Sequence, residues 1–103
     1  MRIKTIDVQA KEWFDRVNGN SYFSGQVTVN FGTKTAKTVY MPFQYGYGSQ
    51  YEYAAMAKLI QSGIVHADDR TALFRYCDEN NIVLRRSMVE KCLKRDVIAF
   101  GAE

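Results

Sequence analysis

Residues 12–31 read EWFDRVNGNSYFSGQVTVNF, and this stretch decides the fold class. Asn18-Gly19 sits between two apolar runs, with Trp13, Phe14 and Val17 before it and Tyr22 and Phe23 after it. Both turn residues tolerate positive φ, so the pair marks a β-hairpin. Further on, Val27, Val29 and Phe31 alternate with Gln26, Thr28 and Asn30, the period of a half-buried strand. Gly25 interrupts that alternation and is expected to mark a bulge. Upstream, Ile3–Val8 is rich in β-branched residues and reads as a strand. Downstream, Gly32-Thr33-Lys34-Thr35 turns the chain into a strand over Thr38–Met41. Pro42 has no N–H to give a ladder, so that strand ends there or lies at a sheet edge. The first half therefore predicts an antiparallel meander of three or four strands.

The second half changes period. Residues 44–50, QYGYGSQ, form a loop, and Ser49 with Glu52 matches a capping box at a helix start. Ala55, Met56, Leu59 and Ile60 give the buried stripe of a helix from Gln50 to Ser62. Gly63 is placed to end it in the left-handed conformation, with Ile64 folding back. Asp68 is expected to cap a second helix, with Asp69 in its first turn. Its stripe is Ala72, Leu73, Tyr76 and Cys77, and Asn80-Asn81 end it. Ile82-Val83-Leu84 reads as a short strand. Residues 85–95 fit strand or helix, and Val97–Phe100 fits a terminal strand or a helix end. The expected fold is α+β: a small antiparallel sheet packed against two helices, as one domain over residues 1–103.

Composition narrows the function by exclusion. A chain of 103 residues has room for one core and none for a separate cofactor domain. No apolar run reaches the ~18 residues of a membrane-spanning helix, and residues 1–13 lack the apolar core of a signal peptide. The net charge of +3 comes from residues 1–50, where six Lys/Arg face three Asp/Glu. That is weaker than the dense basic stripe of a phosphate-tracking protein. Cys77 and Cys92, fifteen positions apart with no histidine beside either, read as reduced thiols in a cytoplasm. His66 is the sole histidine, so a zinc site or a His-dependent nucleophile is not expected. Gly46 and Gly48 are followed by Ser49-Gln50, which departs from both phosphate-binding fingerprints. Asp68/Asp69 and Asp78/Glu79 are adjacent pairs whose side chains diverge on a helix. No catalytic residue, cofactor or metal is expected, and the chain does not read as an enzyme.

What stands out is aromatic. Tyr40, Phe43, Tyr45, Tyr47, Tyr51 and Tyr53 fall within fourteen residues, loosened by Gly46 and Gly48. Tyr40 and Phe43 flank a strand end, and Tyr51 shares a helix face with Ala55, so part of the cluster is core. Tyrosine combines a large rigid ring with a polar tip, which suits protein interfaces, and it also stacks on unpaired bases. Arg85, Arg86, Lys91, Lys94 and Arg95 form the one local basic cluster, a solvated face or a contact for phosphate or an acidic partner.

Residues 10–32 (AKEWFDRVNGNSYFSGQVTVNFG) and 41–59 (MPFQYGYGSQYEYAAMAKL) resemble a family of small proteins encoded by tailed bacteriophages and prophages. The matching positions are Trp13, Phe14, Gly19, Asn20, Tyr22, Pro42, Phe43, Tyr45, Gly46, Tyr47 and Gly48. The resemblance implies a phage protein acting in the cytoplasm of a bacterial host. Small phage proteins without catalytic residues often bind and block a host protein, including CRISPR and restriction systems. The expectation is therefore a non-enzymatic steric inhibitor of a host defence protein. Its partner surface would comprise Tyr45, Tyr47, Tyr51, Tyr53, Arg85, Arg86, Lys94 and Arg95. The alternative is a nucleic-acid-binding accessory protein that stacks bases on the tyrosines and holds phosphates with Arg85, Arg86, Lys94 and Arg95; a third is a virion or assembly component.

Overall fold

The computed structural model describes residues 2–68 and 70–102. The element order is β1 (Thr5–Asp15), β2 (Asn20–Val29), β3 (Lys37–Tyr45), α1 (Gln50–Gln61), α2 (Leu73–Glu79), β4 (Val83–Val89) and α3 (Lys94–Phe100). The four strands form one sheet in the order β3-β2-β1-β4. The fold is α+β, as the sequence indicates, but the sheet is mixed and carries three helices.

The hairpin forms where Asn18-Gly19 places it. β1 and β2 pair antiparallel from Ile6↔Val29 to Asp15↔Asn20. The connection is longer than a two-residue turn, and among the described residues of that loop only Gly19 takes positive φ, at 70°. The Asp15 carboxylate holds it by accepting the backbone N–H groups of Val17 and Asn18 and the Asn18 side-chain amide. β3 continues the meander and runs through Pro42 to Tyr45, with a register shift between Phe23 and Gly25. Pro42 is tolerated because β3 is an edge strand. Phe31 is exposed, because β2 stops at Val29 and Asn30 takes φ 52°.

The first half forms the expected meander of three antiparallel strands, and the sheet becomes mixed only at β4. That strand lies beside β1 and parallel to it, from Thr5↔Val83 to Lys11↔Val89. A parallel neighbour needs a crossover, and α1 and α2 supply it. Ile6, Val8, Ala10, Phe23, Val27, Val29 and Met41 form the buried face under these helices, against Ala55, Met56, Leu59, Leu73 and Cys77. Fully burying one such aliphatic side chain contributes about 1.5–3 kcal/mol.

The ends of the helices are partly as expected. Gly63 takes φ 77°; its N–H donates to the Ile60 carbonyl (3.0 Å) and that of Ile64 to the Leu59 carbonyl (3.0 Å). The capping box does not form. Ser49 is the N-cap residue, but its hydroxyl makes no cap bond, and the Glu52 carboxylate binds Arg86 instead. Asp68 does not cap α2 either. Its carboxylate accepts the Arg70 N–H (2.8 Å) in a preceding turn, and the N-cap is Ala72. Asp69 lies outside the described residues. Asn81 leaves α2 with φ 55°.

Residues 83–89 are strand and 94–100 are helix, with Lys91 at φ 60° between them. This third helix covers the opposite face of the sheet. The Ser24 hydroxyl donates to the Val97 carbonyl, and the Gln26 amide to the Phe100 carbonyl (3.0 Å). Gly101 packs directly on β3 and β2: a β-carbon there would overlap the Met41 carbonyl oxygen and lie 2.6 Å from Ser24 Cβ.

Candidate functional site

The tyrosine cluster divides by helix phase and strand parity. Tyr51 shares its helix face with Ala55, Met56 and Leu59 and is only 9% exposed, so it belongs to the core rather than to a partner surface. Burial, together with the adjacent Glu52 charge, raises the pKa of its phenol and keeps it neutral. Tyr45, Tyr47 and Tyr53 are 60%, 61% and 68% exposed. They stand at the end of β3, in the following loop and in the first turn of α1.

The backbone beneath these three rings is pinned. Gly46 is buried, and a β-carbon there would come within 2.6 Å of the Phe23 ring and 2.8 Å of Gln50 Oε1. Its N–H donates to the Ser21 carbonyl (3.1 Å). The Tyr47 N–H donates to Gln50 Oε1 (2.9 Å), and the Gln50 N–H to the Tyr47 carbonyl (3.2 Å). The loop thus presents its rings from a fixed path.

Tyr45 also abuts a second aromatic group. Trp13, Tyr22 and Phe43 from three adjacent strands cluster on the face that carries α3. Tyr22 and Phe43 stack at 5.2 Å and 8°, Trp13 leans on both at 5.7 and 6.3 Å, and Tyr45 meets Tyr22 in a T-shaped contact at 5.8 Å. The Lys94 ammonium sits 5.2 Å over the Trp13 ring. The rings of this cluster pack on one another and on Lys94, which leaves little free π-face for a base.

The basic residues do not converge. Arg85 grips Asp7 with two bonds of 2.6 and 3.0 Å, and Arg86 binds Glu52 at 2.7 Å. Each carboxylate raises the ionisation of its arginine, first by the hydrogen bond and then by charge. Arg86 reaches α1 on one face of the sheet, whereas Lys94 and Arg95 belong to α3 on the other; Arg95 is exposed. The eight candidate residues therefore do not make one patch.

The tertiary structure adds a residue that sequence reasoning missed. Phe74 is 55% exposed and lines a shallow cleft of about 180 Å³ with Ser49, Glu52, Tyr53, Ala72, Leu73 and Arg86. The signal was present: Leu73 and Cys77 set the buried stripe of α2, and Phe74 lies off it. A larger cleft of about 690 Å³ opens between Glu12–Val17 and Glu90–Leu93.

His66 is exposed in the loop after α1. Among the described residues, no three His, Cys, Asp or Glu side chains come together to hold a metal ion. Cys77 is buried in the core and Cys92 is half-buried, and neither is in a disulfide. Among the described residues, no helix is long and apolar enough to cross a membrane. Comparison with protein-family models, with curated proteins and with solved structures finds no match to this chain.

Proposed function

We propose that this chain is a non-enzymatic binding protein that docks a protein partner through Tyr45, Tyr47 and Tyr53. The observation that carries this is the pinned backbone beneath three exposed rings, with Gly46 buried against Phe23 and Tyr47 locked to Gln50. Rigid aromatic side chains on a preorganised backbone lose little entropy on binding, which is what interface anchors require. Phe74 and Arg86 beside Tyr53 extend the surface. Protein is favoured over nucleic acid because Arg85 and Arg86 are held by carboxylates and the Trp13–Tyr22–Phe43 rings pack on one another. The phage resemblance adds the finer proposal: the partner is a bacterial host defence protein, blocked by steric occupation inside the cell.

The test is capture of a partner from nuclease-treated bacterial lysate by the intact chain and by the triple variant Tyr45→Ala/Tyr47→Ala/Tyr53→Ala. Truncating a hot-spot tyrosine costs about 2 kcal/mol or more, roughly 30-fold in affinity. The variant should lose the partner yet still unfold cooperatively, only about 1 kcal/mol less stable than the parent, the loss being the Tyr45–Tyr22 ring contact. Retention by the triple variant, or a partner seen only without nuclease, overturns the proposal.

A further inference from the structure

The two edges of the sheet are built differently. At the β3 edge, the register with β2 turns the backbone of Thr38, Tyr40 and Pro42 outward. Pro42 has no N–H to offer, and its carbonyl already accepts the Gln44 side-chain amide (2.9 Å). The register shift between Phe23 and Gly25 further disturbs this side. Such features stop an edge from adding another strand.

The β4 edge has none of them. Its register with β1 runs unbroken from Val83 to Val89, and the segment VLRRSMV contains no Pro, Gly or Lys. The Val83 N–H donates to the Lys4 carbonyl (3.0 Å), so by alternation the backbone groups of Leu84, Arg86 and Met88 face outward. Charge is the remaining guard of an edge, and here it is cancelled: Arg85 is paired to Asp7 and Arg86 to Glu52. Val83 and Val89, 57% and 55% exposed, stand on one face at the two ends of the strand.

We infer that β4 is a homodimerisation edge, on which a second copy of this chain pairs antiparallel about a twofold axis at Arg86. In that register Leu84 faces Met88 of the second copy, Val83 faces Val89, and Arg85 faces Ser87. The outward backbone groups then meet as hydrogen-bonded pairs, and the exposed valines cover each other. Arg86 meets its own copy on the axis, each guanidinium held by the Glu52 of its own chain. Sliding by two residues in either direction parts Val83 from Val89 and leaves exposed valine uncovered. Sliding by one turns outward groups against inward ones. The strand is thus complementary to itself in one register, as an isologous interface requires. The product is a continuous eight-stranded sheet with two β3 edges, both blocked by Pro42.

Sedimentation of the full chain tests this. The average mass should rise from one chain to two between about 1 and 200 µM, the range of a modest dimer. Val83→Lys/Val89→Lys places lysine against lysine and should stay monomeric. Val83→Lys/Val89→Glu places lysine against glutamate across the axis and should dimerise again. A parent mass of one chain throughout, a dimer that survives the double lysine variant, or a folded Lys/Glu variant that stays monomeric overturns the inference. If the variants do not fold, amide exchange of the parent decides. The Leu84, Arg86 and Met88 amides should slow at least about tenfold at the higher concentration, while those of Thr38 and Tyr40 do not. Equal exchange at both concentrations overturns the inference.

Discussion

Gly101→Ala sets two effects of opposite sign against each other. Gly101 has φ −92°, a conformation alanine adopts freely. On backbone grounds alone, alanine would stabilise the protein by about 0.4–1 kcal/mol, because it restricts the unfolded chain. Packing opposes this. The added β-carbon would overlap the Met41 carbonyl oxygen and approach Ser24 Cβ to 2.6 Å. One neighbour is sheet backbone and the other is rooted in it, so neither can give way. The end of α3 must lift instead. Overpacking of this kind costs about 1–3 kcal/mol. Lifting also stretches the Gln26–Phe100 bond beyond its present 3.0 Å, which costs about 1 kcal/mol more. Packing therefore wins, and the net loss is about 1–3.5 kcal/mol once the backbone gain is subtracted. At about 4–8 °C per kcal/mol for a domain near this size, Tm should fall by roughly 5–25 °C. Thermal and urea melts followed by circular dichroism measure the loss. Trp13 emission reports on the helix itself, since Lys94 at its start lies over that ring. A variant that melts with the parent or above it refutes the packing of α3 described above.

Three further outcomes follow from the helix start and the two thiols. Ser49→Ala should cost less than about 0.5 kcal/mol in a urea melt, against about 1 kcal/mol for a working serine cap, because the Ser49 hydroxyl makes no cap bond. Burial pushes the Cys77 thiol up from its ordinary 9.0 to about 11. A raised thiol pKa favours the folded state below the ordinary value, and that advantage is lost as pH rises towards the folded value. The Tm difference between the parent and Cys77→Ala should therefore be constant up to about pH 8 and shrink above pH 9. In the native state at pH 8, a thiol reagent should titrate Cys92 and leave Cys77 untouched until denaturant is added.

The exposure of the candidate residues was half legible in the sequence. The phase of Ala55, Met56 and Leu59 already turns Tyr51 inward and Tyr53 outward, so Tyr51 was separable from its neighbours by helix geometry alone. Arg85 and Arg86 are different. As adjacent residues in a basic run they read as free cations, yet each finds a carboxylate 78 and 34 positions away in the chain. No local pattern announces such a partner.

The sequence by itself determined the local features: the hairpin at Asn18-Gly19, the α1 stripe and its end at Gly63. Each rests on backbone conformation or side-chain period within a few residues. Only the tertiary structure decided that β4 runs parallel beside β1, that residues 94–100 wind into a helix on the far face, and that Glu52 binds Arg86 instead of capping α1. These outcomes depend on which distant surface buries a segment or pairs a charge, and a short apolar or charged run holds no record of that surface.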